Sequence, residues 1–146
     1  MAIDLGDRRM GLALSDPLGL AAQGLPTAPR RNKREDLNFV ESLARRHDVS
    51  RILVGNPLNM DGSAGPQSAK ARAFAQELAR RLAPEDVAVE LWDERLTSVE
   101  AEAMLDAAGA DKVRRQGRVD QLAATILLQS FLDTRRMKTP AEVAAP

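Results

Sequence analysis

The chain has 146 residues, the size of one ordinary domain, which leaves no room for a second independent core. Hydrophobic residues make up 44% and charged residues 29%, as in a globular domain, and 21 basic side chains balance 21 acidic ones, so net charge does not announce a polyanionic partner. The absence of cysteine excludes disulfides, thiolate metal sites and a cysteine nucleophile, and no run approaches the ~20 apolar residues of a membrane span.

Met1 to Leu5 reads as a short apolar strand broken by Asp4, and Gly11 to Ser15 as a second strand. The short link between them implies an antiparallel hairpin. The early apolar run is interrupted by Asp4 and Asp7-Arg8-Arg9, which argues against a signal peptide. The expected location is the cytoplasm, with no membrane partner. Leu18 to Thr27 gives a weaker third strand bounded by Pro17 and Pro26.

Arg34 to His47 has helical spacing through Leu37, Val40 and Ala44, with Arg45, Arg46 and His47 in the last turn, where cations suit the helix dipole. Arg51 to Gly55 is a buried strand with a glycine stop, and Asn56 to Pro66 is a loop rich in Gly, Pro and Asn. Ser68 to Leu82 is a second helix, and Val87 to Trp92 a further strand. Thr97 or Ser98 caps a helix through Leu105, because Thr97 and Glu100 form a capping box. Lys112 to Arg118 is a basic link, and Asp120 to Leu132 the last helix. A hairpin followed by βαβ units predicts an α/β fold, a mixed sheet with helices on its faces. The expectation is a single domain over 1–138 with a disordered tail over 139–146.

Three acidic positions carry chemical interest. Aspartate is depleted in strands, and a buried carboxylate costs several kcal/mol unless it is paired or binds a metal. For Asp4, a salt bridge to a local arginine such as Arg9 and ligation of a cation stand level. Asp93 and Glu94 lie at the carboxyl end of a strand, where ligand groups collect in α/β sheets. Adjacent strand residues point to opposite faces, so only one of the two should face Asp4. Asp120 shares a helix face with Ala124, Leu127 and Phe131, although aspartate at a helix N-terminus is also favoured as a cap. Three converging carboxylates would repel unless a hard cation relieved them. All-oxygen donors select Mg²⁺ or Mn²⁺, and a pair of such ions can drive phosphodiester hydrolysis.

The segments 2–13 (AIDLGDRRMGLA), 55–66 (GNPLNMDGSAGP), 93–98 (DERLTS) and 119–124 (VDQLAA) together resemble the YqgF/RuvX family, over roughly residues 2–133 and in the family's order. The resemblance implies a ribonuclease H-like fold, with a five-stranded mixed sheet of order 3-2-1-4-5. It implies Asp4, Glu94 and Asp120 as catalytic metal ligands, with Asp93 second in rank; the expected cofactor is a pair of Mg²⁺ or Mn²⁺ ions. It implies a nuclease maturing the 5′ end of precursor 16S rRNA in ribosome biogenesis, or alternatively a Holliday junction resolvase. A nucleic-acid-binding module with a vestigial site is a third reading. Arg9 and Arg95 fall on motif positions suited to phosphate or to orienting carboxylates. Lys112, Arg114, Arg115 and Arg118 would line a basic groove for structured RNA or branched DNA, bound by a monomer or a homodimer. Gly55, Asn56, Asn59 and Gly65 fall on the family's loop, where Asn56 replaces a common leucine.

Other chemistries fit less well. Asp4-x-Gly6 with Gly11 also resembles the phosphate-binding hairpin of actin-like ATPases, but those need two such domains around a nucleotide. The 55–65 loop lacks the Gly-Lys-Ser/Thr of a Walker motif. His47, between Arg46 and Asp48, suits a helix end rather than a serine triad, and Trp92 suits packing beside the site.

Overall fold

The computed structural model describes residues 1–96, 99, 103–104, 106–107 and the helix spanning 118–144, whose side chains are described over 121–136. Strands β1 (Ala2–Leu5), β2 (Arg9–Ser15), β3 (Ala22–Pro29), β4 (Arg51–Asn56) and β5 (Ala88–Asp93) form one sheet of order β3-β2-β1-β4-β5. The expected mixed five-stranded order is therefore present. The hairpin is closed by Gly6 N–H donating to Arg9 O at 2.9 Å, and it pairs Asp4 with Gly11 and Leu5 with Met10. β1–β4 and β4–β5 are parallel, so their carboxyl ends share one edge of the sheet.

β3 begins four residues later and ends two residues later than the expected strand, at Pro29. It is an edge strand, and the register with β2 slips between Met10 and Leu12. Leu25 pairs with Leu12 but Ala28 with Met10, which places Pro26 and Thr27 at a bulge. A proline that cannot donate to a ladder is tolerated at such a place.

Helix α1 (Lys33–Arg46) begins where the Asn32 side chain accepts from Glu35 N–H at 2.8 Å, and His47 forms its C-cap, its N–H donating to Leu43 O. Helix α2 (Pro66–Leu82) starts with proline in its first turn, where the missing N–H costs nothing. A single 3₁₀ turn (Ala83–Glu85) leads into β5. Helix α3 (Arg118–Ala144) begins two residues before the expected start and continues past Leu132 to Ala144. The helix expected from Thr97 or Ser98 falls on a segment mostly outside the described residues, as do Lys112, Arg114 and Arg115.

Strand alternation divides the core in two. Ile3, Met10, Leu12, Ile52 and Val54 pack against α1 and α2 through Leu37, Val40, Phe74 and Leu78. Ala2, Ala13 and Leu53 face α3, meeting Ala124, Leu127, Leu128 and Leu132, with Trp92 and Phe131 beside them. Burial of each large aliphatic chain contributes roughly 1.5–3 kcal/mol. The second cluster matters most for function, because Asp4 lies on its face of β1. Among the described residues no helix is long and apolar enough to cross a membrane.

Candidate active site

Asp4 alternates with Ile3, so it stands with Ala2 on the α3 face, near the carboxyl end of β1. Extending the β1–β4 register by one residue puts Gly55 beside it, and Gly55 pairs in turn with Trp92. Trp92 packs edge-on against Phe131 of α3, with ring centroids 5.4 Å apart and planes at 85°. That packing fixes which way β5 faces: Glu94, two residues on, shares the side of Trp92, whereas Asp93 is turned the other way.

Glu94 is exposed as a residue, but its carboxyl group turns in over Gly55. A Cβ at position 55 would overlap Glu94 Oε1 and stand 2.8 Å from Leu127 Cδ1. A side chain here would fit only if the ends of Glu94 and Leu127 moved aside. The Glu94 N–H donates to Asn56 O at 3.2 Å, which ties the residue to the end of β4. Loss of solvent around the carboxyl, the hydrogen bond with Asp4 and the repulsion of Asp4 and then Asp93 push Glu94 up to about 8. Two carboxyl groups brought together in this way share a proton when no cation is present.

Asp93 has a different environment. Its carboxylate accepts from Arg95 Nε at 3.0 and 3.1 Å and from Nη2 at 2.7 Å, and this guanidinium holds its carboxyl below the usual range. Arg9 opens β2 at the same end of the sheet as Asp4. Residue 120 lies in the first turn of α3, one turn ahead of the buried Ala124, and its side chain is outside the described residues, as is that of Arg118. Among the described residues no group of three or more His, Asp or Glu side chains stands together, so the described part of the site is the Asp4–Glu94 pair.

Several supporting residues escape a sequence reading. Gln121, next to Asp120, donates from Nε2 to Leu25 O at 2.8 Å, and Gln129 accepts from Ala22 N–H at 2.9 Å. These bonds, two turns apart, tie α3 to the edge strand and set where its first turn sits. Asn56 is buried, and its Oδ1 accepts from Ser68 Oγ at 2.6 Å. The polar replacement in the family loop thus has a buried polar partner on α2. Arg30, one of the clustered arginines, is structural: Nε donates to the buried Asp36 at 2.8 Å and Nη1 to Gly6 O at 2.7 Å.

The RuvX family model, described as a Holliday junction resolvase, matches residues 1–134. The chain belongs to the RuvX family. Relatives in this family include proteins named "Putative pre-16S rRNA nuclease" from Halothermothrix orenii and Pelotomaculum thermopropionicum. The first is 44% identical over 133 residues, covering 91% of this chain and 93% of the relative. The second is 46% identical over 136 residues, covering 92% of this chain and 86% of the relative. A likewise named protein of Myxococcus xanthus is 45% identical, covering 93% and 88%. Among solved structures, Thermus thermophilus RuvC in complex with a Holliday junction substrate superposes with a TM-score of 0.57 at 16% identity, covering 94% of both chains. That likeness establishes the ribonuclease H-like fold of this RuvX member, in agreement with its sheet order.

Proposed function

We propose that this RuvX member is a metal-dependent nuclease that hydrolyses phosphodiester bonds in the 5′-end maturation of precursor 16S rRNA, using Asp4, Glu94 and Asp120. The observation that supports this most is the meeting of Asp4 and Glu94 over Gly55, at the carboxyl end of β1, β4 and β5. Carboxylates placed so close are costly unless a proton or a cation compensates them. Their hard oxygen donors and the space cleared by glycine fit Mg²⁺ or Mn²⁺. When bound, the cation would activate water and offset charge on the leaving oxygen.

The chain's own groups supply position. Asp4 is held by the rigid hairpin, Glu94 by its backbone bond to Asn56, and the start of α3 by Gln121. Arg9 and the segment from Lys112 to Arg118 supply phosphate contacts in this reading, so binding should weaken steeply with salt. The rRNA substrate is preferred because the relatives carry that name. The family description and the shared fold with RuvC favour junction cleavage as the second reading, which would need a dimer presenting symmetric sites.

The test presents precursor 16S rRNA carrying its 5′ extension and a four-way DNA junction side by side, with Mg²⁺, Mn²⁺ or chelator. Wild type should shorten the RNA only with metal, Asp4→Asn should lose at least about 10²-fold in rate, and the junction should stay intact. Symmetric junction cutting with intact RNA would replace the rRNA reading by the resolvase reading. Binding without cleavage of either substrate would leave a nucleic-acid-binding module and overturn the enzyme.

A further inference from the structure

The residues between β4 and α2 form a loop at the same end of the sheet as Asp4 and Glu94, and its tip is built as a closed unit. Asn59 N–H donates to Ser63 O at 2.9 Å and Gly62 N–H to Asn59 O at 2.8 Å. Asp61 Oδ1 accepts from both the N–H and the Oγ of Ser63, at 2.9 and 2.6 Å, and Asn59 Nδ2 donates to Ser63 Oγ at 2.9 Å. Gly62 takes φ +89°, which L side chains rarely adopt. A tip so closed on itself moves as one piece unless something ties it to the sheet.

Arg95 supplies that tie. Its Nη1 donates to Met60 O at 3.2 Å, while Nε and Nη2 grip the Asp93 carboxylate. Its backbone N–H also donates to Asp93 Oδ1 at 2.9 Å, so the base of the side chain is fixed. The guanidinium lies over the turn: a Cβ on Gly62 would stand 3.6 Å from Nη1 and 3.8 Å from Nη2. Asp61 adds a further favourable charge. A planar fork can hold a carboxylate and a carbonyl together, which an ammonium cannot do with the same geometry. Arg95 directly follows Glu94, so the clamp joins the loop to the segment that carries an acid of the site.

We propose that Arg95, braced by Asp93, is a positioning residue that clamps the 57–65 loop as a fixed wall beside the Asp4–Glu94 pair. The wall's use in catalysis rests on the proposed nuclease site, but the clamp itself does not. It accounts for an arginine that is largely spent on protein partners and for an acidic neighbour turned away from Asp4.

The test is hydrogen–deuterium exchange on the full chain, without metal or substrate, read in peptides covering 57–65. Arg95→Met and Asp93→Asn should each speed exchange there at least about tenfold, and β1 and α1 should be unchanged. Arg95→Lys should lie between, and it serves as the readout if Arg95→Met does not fold. With substrate, loosening should raise KM more than it lowers kcat. Exchange within twofold of wild type in Arg95→Lys and Asp93→Asn would overturn the clamp. A reduced salt slope of binding in Arg95→Lys with unaltered loop exchange would instead make Arg95 a phosphate ligand. Because the exchange readout needs no substrate, the clamp and the nuclease reading can fail separately.

Discussion

Gly55 lies directly beneath the Glu94 carboxyl, whose Oε1 takes the place that a Cβ would occupy. The relation is steric rather than conformational: the backbone is an ordinary strand, and the constraint comes from the carboxyl above it and from Leu127 beside it. Gly55→Ala should therefore push Glu94 away from Asp4. The clashing atoms are side-chain ends that can turn aside, so the stability loss should be small, whereas misplacing a reacting group by about 1 Å can cost 10²-fold in rate. Nuclease rate and urea unfolding measured together should show a large loss of rate with little loss of stability. A variant with wild-type rate would mean that the observed Glu94 position is not the working one.

The paired acids make stability depend on pH in a defined direction. Glu94 ionises at about 8 in the folded, metal-free chain against an ordinary value of 4.5. Between about pH 5 and about pH 8 the folded state keeps a proton that the unfolded chain releases. Its stability then falls as pH rises through that window. In chelator, Tm should drop by several degrees across it, and Asp4→Asn should flatten the slope by removing the repulsion and the shared proton. Mg²⁺ at about pH 8 should recover the loss, and its affinity should fall as protons compete below that pH. Equal slopes for wild type and Asp4→Asn in chelator would show that the two carboxyl groups do not interact.

Much of this arrangement was legible in the sequence, for reasons that differ by element. The β1–β2 hairpin followed from a link too short for a crossover, whereas the sheet order rested on the family resemblance. β3 read weakly because Pro26 sits in it, and only the register slip explains how a strand accommodates that residue. Asp4 was conspicuous because a carboxylate in an apolar strand demands a reason. Alternation established that only one of Asp93 and Glu94 could face it, but not which one. The packing of Trp92 on Phe131 resolves the choice, and that contact joins segments nearly 40 residues apart (131 − 92 = 39). Arg95 read as suited to phosphate or to orienting a carboxylate, and its partner in the loop, a main-chain carbonyl, leaves no mark in sequence.

Asp36 is a buried acid that serves the frame rather than the chemistry. Its Oδ2 pairs with Arg30 Nε at 2.8 Å and its Oδ1 accepts from Arg31 N–H at 3.1 Å. Arg30 in turn reaches Gly6 O in the hairpin that carries Asp4. Removing the carboxylate leaves Arg30 partly in solvent, at 28% exposure, so the penalty stays below that of a fully buried orphaned charge. Asp36→Ala should lose about 2–3 kcal/mol in urea unfolding. Arg30→Ala should lose at least as much, since it leaves the buried Asp36 carboxylate with the Arg31 N–H and without its countercharge. Equal stability of Asp36→Ala and wild type would reduce this pair to a surface ornament.

Asn56 and Ser68 offer a test of how this chain departs from the family loop. Ser68 is fully buried on α2 and donates to Asn56 Oδ1 at 2.6 Å at the end of β4, next to the residue under Glu94. Ser68→Ala leaves a buried acceptor unpaired, and Asn56→Leu leaves a buried hydroxyl unpaired, each at a cost of about 1–3 kcal/mol. Changing both replaces the polar pair by an apolar contact and removes the unpaired group. The double variant should then be more stable than the sum of the single losses predicts, with a coupling of about 0.5–3 kcal/mol. Unfolding of the four chains in urea measures this directly. Additive losses would show that the hydroxyl and the amide find other partners when separated, and that the Asn56 side chain is held by its surroundings rather than by Ser68.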